Sequence, residues 1–238
     1  MAELVDALDS GSSRGNSVDV RVILAAFIVM YEFQPSYALI ANGAFDNPFA
    51  LAPLVRSYQS IVAVDGGLVH CHAMGITPDL IVGDFDSIPP DLLQKYPQVP
   101  VQAFPKHKDQ TDLELAIQFV YRPEVERIAV FGALGKRIDH TLSNLHILRR
   151  YPGKIIFENH DESVFCVQGS QEITTFPGQT ISLIQLGDVK GITTKGLHWE
   201  LNKARFDKFF YSLSNIAQGS SFQIAIEEGD LICCLNRQ

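Results

Sequence analysis

Two aspartates one residue apart, Asp84 and Asp86, follow the apolar run Leu80-Ile81-Val82 and the turn residue Gly83. In an extended or turning segment the i, i+2 spacing sends both carboxylates to the same side. Two carboxylates held together repel one another unless a cation lies between them or one takes up a proton. Hard oxygen ligands of this kind suit Mg²⁺, which usually combines one or two carboxylates with substrate phosphates. A plainer reading is a strand end followed by a polar turn, with Ser87 capping a helix that begins near Pro89-Pro90.

Two further constellations bear on that choice. Lys106-His107-Lys108-Asp109-Gln110-Thr111-Asp112 follows the strand-like stretch Val99–Phe104 and leads into a helix. Lys108 there can neutralise phosphate charge, and Asp109 or Asp112 can join the metal carboxylates. Thr111 and Asp112 also sit where a helix needs partners for its first N–H groups. Capping suffices for Thr111, but capping alone leaves the many charges of the lead-in unexplained, which favours function for Asp112. Further along, Gly132-Ala133-Leu134-Gly135-Lys136-Arg137 runs on through Ile138-Asp139-His140 to Asn144. Arg137 is a forked donor suited to phosphate. Asp139 has the position of a helix cap, and His140 and Asn144 share a helical face at i, i+4. His140 reads equally as a side chain bonded within the fold.

The elements that must hold these groups alternate. Strand candidates are Tyr37–Ala41, Ile61–Val64, Leu80–Val82, Arg127–Phe131 and Lys154–Phe157. Helix candidates are Pro48–Ser57, Leu68–Met74, Asp91–Tyr96, Asp112–Tyr121 and His140–Arg150, the fourth opened by the capping box Thr111-x-x-Glu114. Such alternation implies βαβ units and a mostly parallel, Rossmann-like sheet of the α/β class. Asn42-Gly43, Asp65-Gly66-Gly67, Gly83–Asp86 and Gly132–Gly135 each fall at the carboxyl end of a strand, where open α/β sheets bind ligands. Glycines there let backbone N–H groups approach phosphates. After about Asn159 the pattern becomes short alternating stretches, Ser163–Val167, Thr180–Leu186, Phe222–Ile226 and Leu231–Leu235, broken by turns. A small antiparallel β-sandwich is expected there. The expected divisions are a leader over 1–36, an α/β nucleotide-binding catalytic domain over 37–158 and a β-sandwich domain over 159–238.

Composition narrows the function. Of 238 residues, 46% are hydrophobic and 19% charged, and a net charge of -8 without a Lys/Arg run argues against nucleic-acid binding. The four cysteines, Cys71, Cys166, Cys233 and Cys234, make neither a disulfide framework nor a zinc site, so a cytoplasmic protein with reduced thiols is expected. The apolar run Val22–Tyr31 is too short to span a membrane. It has the look of a signal-peptide core, but no small-x-small cleavage site follows. The leader is otherwise expected to be disordered, or to lie upstream of a true start at Met30.

These motifs, in this order, resemble those of thiamine pyrophosphokinases. The resemblance rests on Asp65-Gly66-Gly67, Pro78-Asp79 with Gly83–Ser87, Lys108–Asp112 and Gly132–His140 with Asn144. It continues through Ile181–Leu183, Thr193–Leu201 and Ser212–Asn215, so it spans about Ala38 to Leu235. One departure is Lys136, where that family more often has a second glycine. The resemblance implies transfer of the pyrophosphoryl group of ATP to the hydroxyl of thiamine, giving thiamine diphosphate and AMP. It implies Mg²⁺ on Asp84, Asp86 and Asp112, with Lys108 and Arg137 on the phosphates. Asp109 or a metal-site aspartate would take the hydroxyl proton. ATP would meet Asn42, Asp65, Gly66, Gly67, Thr111, Gly132, Gly135, Arg137, Asp139, His140 and Asn144. Trp199, Ser214 and Asn215 would meet thiamine, with Trp199 stacking on the cationic ring. It also implies a homodimer with shared sites. Two rivals are a metal-dependent phosphohydrolase with Asp84 as nucleophile and a non-catalytic thiamine or nucleotide sensor.

Overall fold

The computed structural model describes residues 37–45, 47–207 and 211–237. The expectations for the leader over 1–36 lie outside the described residues. The first half builds strands β1 (Tyr37–Ile40), β2 (Ser60–Val64), β3 (Leu80–Gly83), β4 (Val101–Ala103), β5 (Ile128–Phe131) and β6 (Ile155–Glu158). Between them run helices α1 (Pro48–Val55), α2 (Gly67–Ala73), α3 (Pro90–Leu93), α4 (Asp112–Val120) and α5 (Ile138–Arg150). The second half adds β7 (Glu162–Val167), β8 (Ser170–Thr174), β9 (Thr180–Gln185), β10 (Val189–Lys195) and β11 (Ala204–Phe206). It ends with β12 (Ser212–Ile216), β13 (Ser221–Ala225) and β14 (Leu231–Asn236).

A ten-stranded sheet runs in the order β12-β9-β14-β7-β6-β5-β1-β2-β3-β4, and a four-stranded sheet in the order β11-β10-β13-β8. Pairing from β6 through β5, β1, β2 and β3 to β4 is parallel. Beyond β6 it is antiparallel, through β7, β14, β9 and β12. The chain therefore does not start a fresh layer at the expected 158/159 division. Turn residues 159–161 fold β7 back onto β6, and the same sheet continues.

Side-chain alternation explains how one sheet serves two regions. Leu231, Cys233 and Leu235 of β14 pack with Phe222, Ile224, Ile192 and Phe206 of the small sheet. Ile232 of the same strand packs on the opposite face with Ile147 and Leu148 of α5. The central strands are buried on both faces, so Ala38-Leu39-Ile40 and Ile128–Phe131 read as continuous apolar runs. The antiparallel strands and the small sheet enclose one apolar layer, which is the sandwich anticipated from the sequence.

Several local expectations change. Strands β8, β10, β11 and β12 were not anticipated, because their exposed or turn-rich sequences lack a clean apolar alternation. Helix α3 is shorter than the expected Asp91–Tyr96. Its N-cap is Pro89 with no side-chain bond, while Ser87 Oγ donates to Asp86 Oδ1 at 3.2 Å. Asp139 does not cap α5 either. The cap is Arg137, and Asp139 lies in the first turn. Among the described residues, no helix is long and apolar enough to cross a membrane.

Candidate active site

Strand order reverses between β1 and β5, the switch point where a crevice forms at the carboxyl edge of an open parallel sheet. A cavity of about 450 Å³ lies there. Asn42, Asp65, Asp84, Asp86, Thr111, Asp112, Gly132, Gly135, Arg137, His140 and Asn144 line it. The sheet thus gathers most of the predicted nucleotide and metal residues from five separate segments.

Close backbone contact makes the crevice. Gly43 N–H donates to Gly132 O at 2.7 Å and Ala44 N–H to Leu134 O at 2.9 Å, zipping the loop after β1 to the loop after β5. A Cβ at Gly132 would stand 2.5 Å from the Ala41 carbonyl oxygen, so only glycine permits this approach. The amide of Gly43 is spent in this zipper, and that of Gly135 on Thr141 Oγ1 at 3.2 Å. These turns shape the cavity more than they offer donors to it. Gly66 and Gly67 act similarly. They let α2 press against the end of β1 and are not in the cavity wall.

The acidic centre combines two strand ends. One carboxylate oxygen each from Asp65, Asp84 and Asp86 can lie within 4.8 Å of the others. Asp65 is only 9% exposed, and its Oδ1 is buried with no hydrogen-bond partner. A buried, unpartnered carboxylate oxygen is costly unless something positive reaches it. Gly83, at φ 144°, allows the contact, since a Cβ there would sit 2.9 Å from Asp65 Cβ. The donor set is all oxygen, which fits a hard cation such as Mg²⁺. The observed cluster differs from the expected trio in containing Asp65 where Asp112 was anticipated.

Asp112 is instead tied to Lys108, whose Nζ lies 2.8 Å from Asp112 Oδ1 and 3.4 Å from Asp84 Oδ2. Burial opposes the charge on Lys108, but the two carboxylates outweigh it and raise its pKa. Burial pushes the Asp84 carboxyl up, yet the Asp86 amide and Lys108 prevail and hold it below the usual range. Burial, together with Asp84 and Asp65, pushes Asp112 up despite Lys108. Asp109 is exposed and outside the cavity wall.

Thr111 performs both roles weighed for it. It lines the cavity, and its Oγ1 accepts the Glu114 N–H at 3.2 Å while Glu114 Oε2 accepts the Thr111 N–H at 3.1 Å. Glu114 also takes Arg150 at 2.8 Å, which ties the mouth of α4 to α5. Buried Asn144 donates to Ala133 O at 2.7 Å and braces the glycine loop. Arg137 is paired with Asp139, which holds the Asp139 carboxyl down at about 2. Ser87 and Lys136 also line the cavity. The sequence marks Ser87 as a helix cap within the Gly83–Ser87 motif, and Lys136 as a departure that adds bulk and charge near the nucleotide. Their signal in the sequence was adjacency to Asp86 and Arg137.

Trp199, Ser214 and Asn215 lie on the β half, apart from this cavity wall. Trp199 is 57% exposed and meets His198 edge-on at 4.5 Å. Asn215 is buried, with Oδ1 accepting the Trp199 N–H at 3.1 Å and Nδ2 donating to Trp199 O at 2.8 Å. Its amide is thereby a brace for the tryptophan. Ser214 adopts φ 55° and donates its N–H to Ser182 Oγ at 3.1 Å.

Fold and site together define an open α/β protein with an acidic, cation-ready crevice at its topological switch point. The catalytic-domain model of thiamin pyrophosphokinase matches residues 51–157, and the vitamin B1 binding-domain model of thiamin pyrophosphokinase matches residues 163–231. The chain belongs to the thiamin pyrophosphokinase family. It is 33% identical over 175 residues to thiamine pyrophosphokinase 1 of Oryza sativa subsp. japonica, covering 67% of this chain and 66% of the rice protein. The match thus spans slightly less than two thirds of that relative's length. Thiamine pyrophosphokinase from Bacillus subtilis superposes with a TM-score of 0.74 at 24% identity, covering 84% of this chain and 98% of that one. Yeast thiamin pyrophosphokinase gives 0.74 at 17% identity, over 90% and 89% of the two chains. Both establish likeness of fold.

Proposed function

We propose that this protein transfers the pyrophosphoryl group of ATP to the hydroxyl of thiamine, giving thiamine diphosphate and AMP. The observation that carries the reading is the cluster of Asp65, Asp84 and Asp86, in which Asp65 Oδ1 is buried and unpartnered, with Lys108 beside Asp84. The hydroxyl oxygen attacks the β-phosphorus, the bond from the β-phosphorus to the oxygen it shares with the α-phosphate breaks, and AMP leaves. Asp65, Asp84 and Asp86 would hold Mg²⁺, which would offset the negative charge of the polyphosphate when bound. Asp112 keeps Lys108 charged and aimed at Asp84, so the lysine stands ready for the polyphosphate. The zipped loops after β1 and β5 hold the nucleotide crevice rigid, and positioning then supplies much of the rate. Asp109 or a carboxylate of the acidic cluster accepts the hydroxyl proton.

Trp199, exposed and braced by Asn215, is the stacking surface for the cationic, aromatic thiamine ring. With Trp199 outside the ATP crevice's wall, the reading includes a homodimer in which the β half of one subunit completes the site of the other. The free thiols Cys71, Cys166, Cys233 and Cys234 support action in the cytoplasm. The vitamin B1 binding-domain match covers the Trp199 region, for which the phosphohydrolase reading has no use.

The test is AMP formation from ATP and Mg²⁺, with and without thiamine, by the full chain and by Asp84→Asn. Thiamine-dependent AMP that disappears in the variant supports the reading. Orthophosphate release regardless of thiamine contradicts it in favour of a phosphohydrolase, and thiamine binding without turnover contradicts it in favour of a sensor.

A further inference from the structure

Lys136 stands at the switch point between the ends of β1 and β5. Its Nζ donates to Asn42 O at 2.8 Å and to Asn42 Oδ1 at 3.1 Å. It also lines the cavity. The other cations at this site each have carboxylate partners, Lys108 in Asp84 and Asp112 and Arg137 in Asp139. Among the described residues, Lys136 is the cation of this wall without a carboxylate partner. The same wall carries Asp65, Asp84, Asp86 and Asp112, which would repel an incoming polyanion. An ammonium has three donors, and the two Asn42 oxygens leave one for a ligand. Lys136 further holds a left-handed backbone at φ 58°, which glycine adopts at lower cost. Removing the side chain would therefore relax the backbone.

We propose that Lys136 is a nucleotide-binding residue of this chain, contributing its unpaired ammonium to the polyphosphate of a nucleoside triphosphate while keeping hold of Asn42. It ties the β5 loop to the β1 loop through Asn42, and this tether holds the ammonium at the cavity wall where phosphate would lie. The inference rests on the reading of the crevice as the ATP site.

The experiment titrates ATP with Mg²⁺ into the full chain by calorimetry at low and raised KCl, for wild type, Lys136→Met, Lys136→Gly and Lys136→Arg. Lys136→Met is expected to weaken ATP binding about tenfold, as for loss of one charge-assisted hydrogen bond. Its ATP affinity should also fall less steeply with salt than the wild type's, because a screened contact has gone. Lys136→Gly should lose ATP affinity similarly while its melting temperature holds or rises, and Lys136→Arg should stay within about twofold of wild type. The thiamine KM should not move. Wild-type ATP affinity in both Lys136→Met and Lys136→Gly would overturn the proposal, leaving Lys136 a loop tether. Weakened ATP binding with an unchanged salt dependence would overturn it in the same direction. A wild type that binds ATP yet makes no thiamine diphosphate would sink the pyrophosphokinase reading alone, because the lysine contact is read from ATP binding. A wild type that binds no ATP would sink both.

Discussion

Replacing Lys108 with methionine keeps the volume of the side chain and removes its charge. The ammonium lies between two carboxylates, and the side chains of Lys108, Asp84 and Asp112 are only 12%, 11% and 22% exposed. At an effective dielectric of about 20, the attraction at the shorter contact is about 6 kcal/mol before desolvation is charged against it. Breaking a buried pair by removing one partner costs about 3–5 kcal/mol, and the residual exposure places this case near about 3 kcal/mol. For a domain of this size that corresponds to a fall of about 6–12 °C in Tm. Part of the cost comes from two carboxylates left facing one another, so Lys108→Met combined with Asp112→Asn should recover more than half of the loss. Mg²⁺ should raise the Tm of Lys108→Met more than that of wild type, and KCl of equal ionic strength should not. Thermal unfolding followed by circular dichroism reads all of these. A drop below about 2 °C, with no recovery in the double variant, would refute the idea that Lys108 is a charge clamp on the acidic centre.

Asn215→Ala leaves the Trp199 N–H and carbonyl without their partners, so it should cost about 2 kcal/mol in urea unfolding. It should also raise the thiamine KM with little change in that for ATP. Gly83→Ala places a methyl against Asp65 at a backbone angle that disfavours side chains, and steady-state kinetics should show a fall in kcat of about tenfold or more. Burial pushes the Cys71, Cys166 and Cys234 thiols up to about 12, and Cys233 well above its ordinary value. At pH 8 an aromatic disulfide reagent should therefore label the native protein slowly and all four cysteines promptly after denaturation.

The α/β half was largely legible because each of its signals is local. Continuous apolar runs marked strands buried on both faces. The capping box at Thr111 and Glu114 marked the start of α4 to the residue. Asp-x-Asp and the glycine turns marked the carboxyl edge. What stayed hidden depended on long-range pairing. Nothing near Leu231–Asn236 says that it inserts between β7 and β9 and so carries the sheet past β6. Exposed β12 offered too few apolar residues to announce a strand. At the site, the residues alone leave Asp109 or Asp112 to join Asp84 and Asp86, and the family resemblance implies Asp112. The folded chain brings in Asp65 from the next strand and gives Asp112 to Lys108. Asn215 by itself reads as a plain turn residue, and only the family resemblance makes it a thiamine contact. Its role as a brace for the Trp199 backbone depends on burial that no local signal announces.

The most direct test of the central claim follows the terminal phosphate. ATP labelled at the γ-phosphorus, incubated with thiamine, Mg²⁺ and the full chain, should pass its label to thiamine diphosphate, with AMP formed in equal amount and none of either product from Asp84→Asn. Label recovered as orthophosphate, or ADP in place of AMP, would contradict pyrophosphoryl transfer at this site.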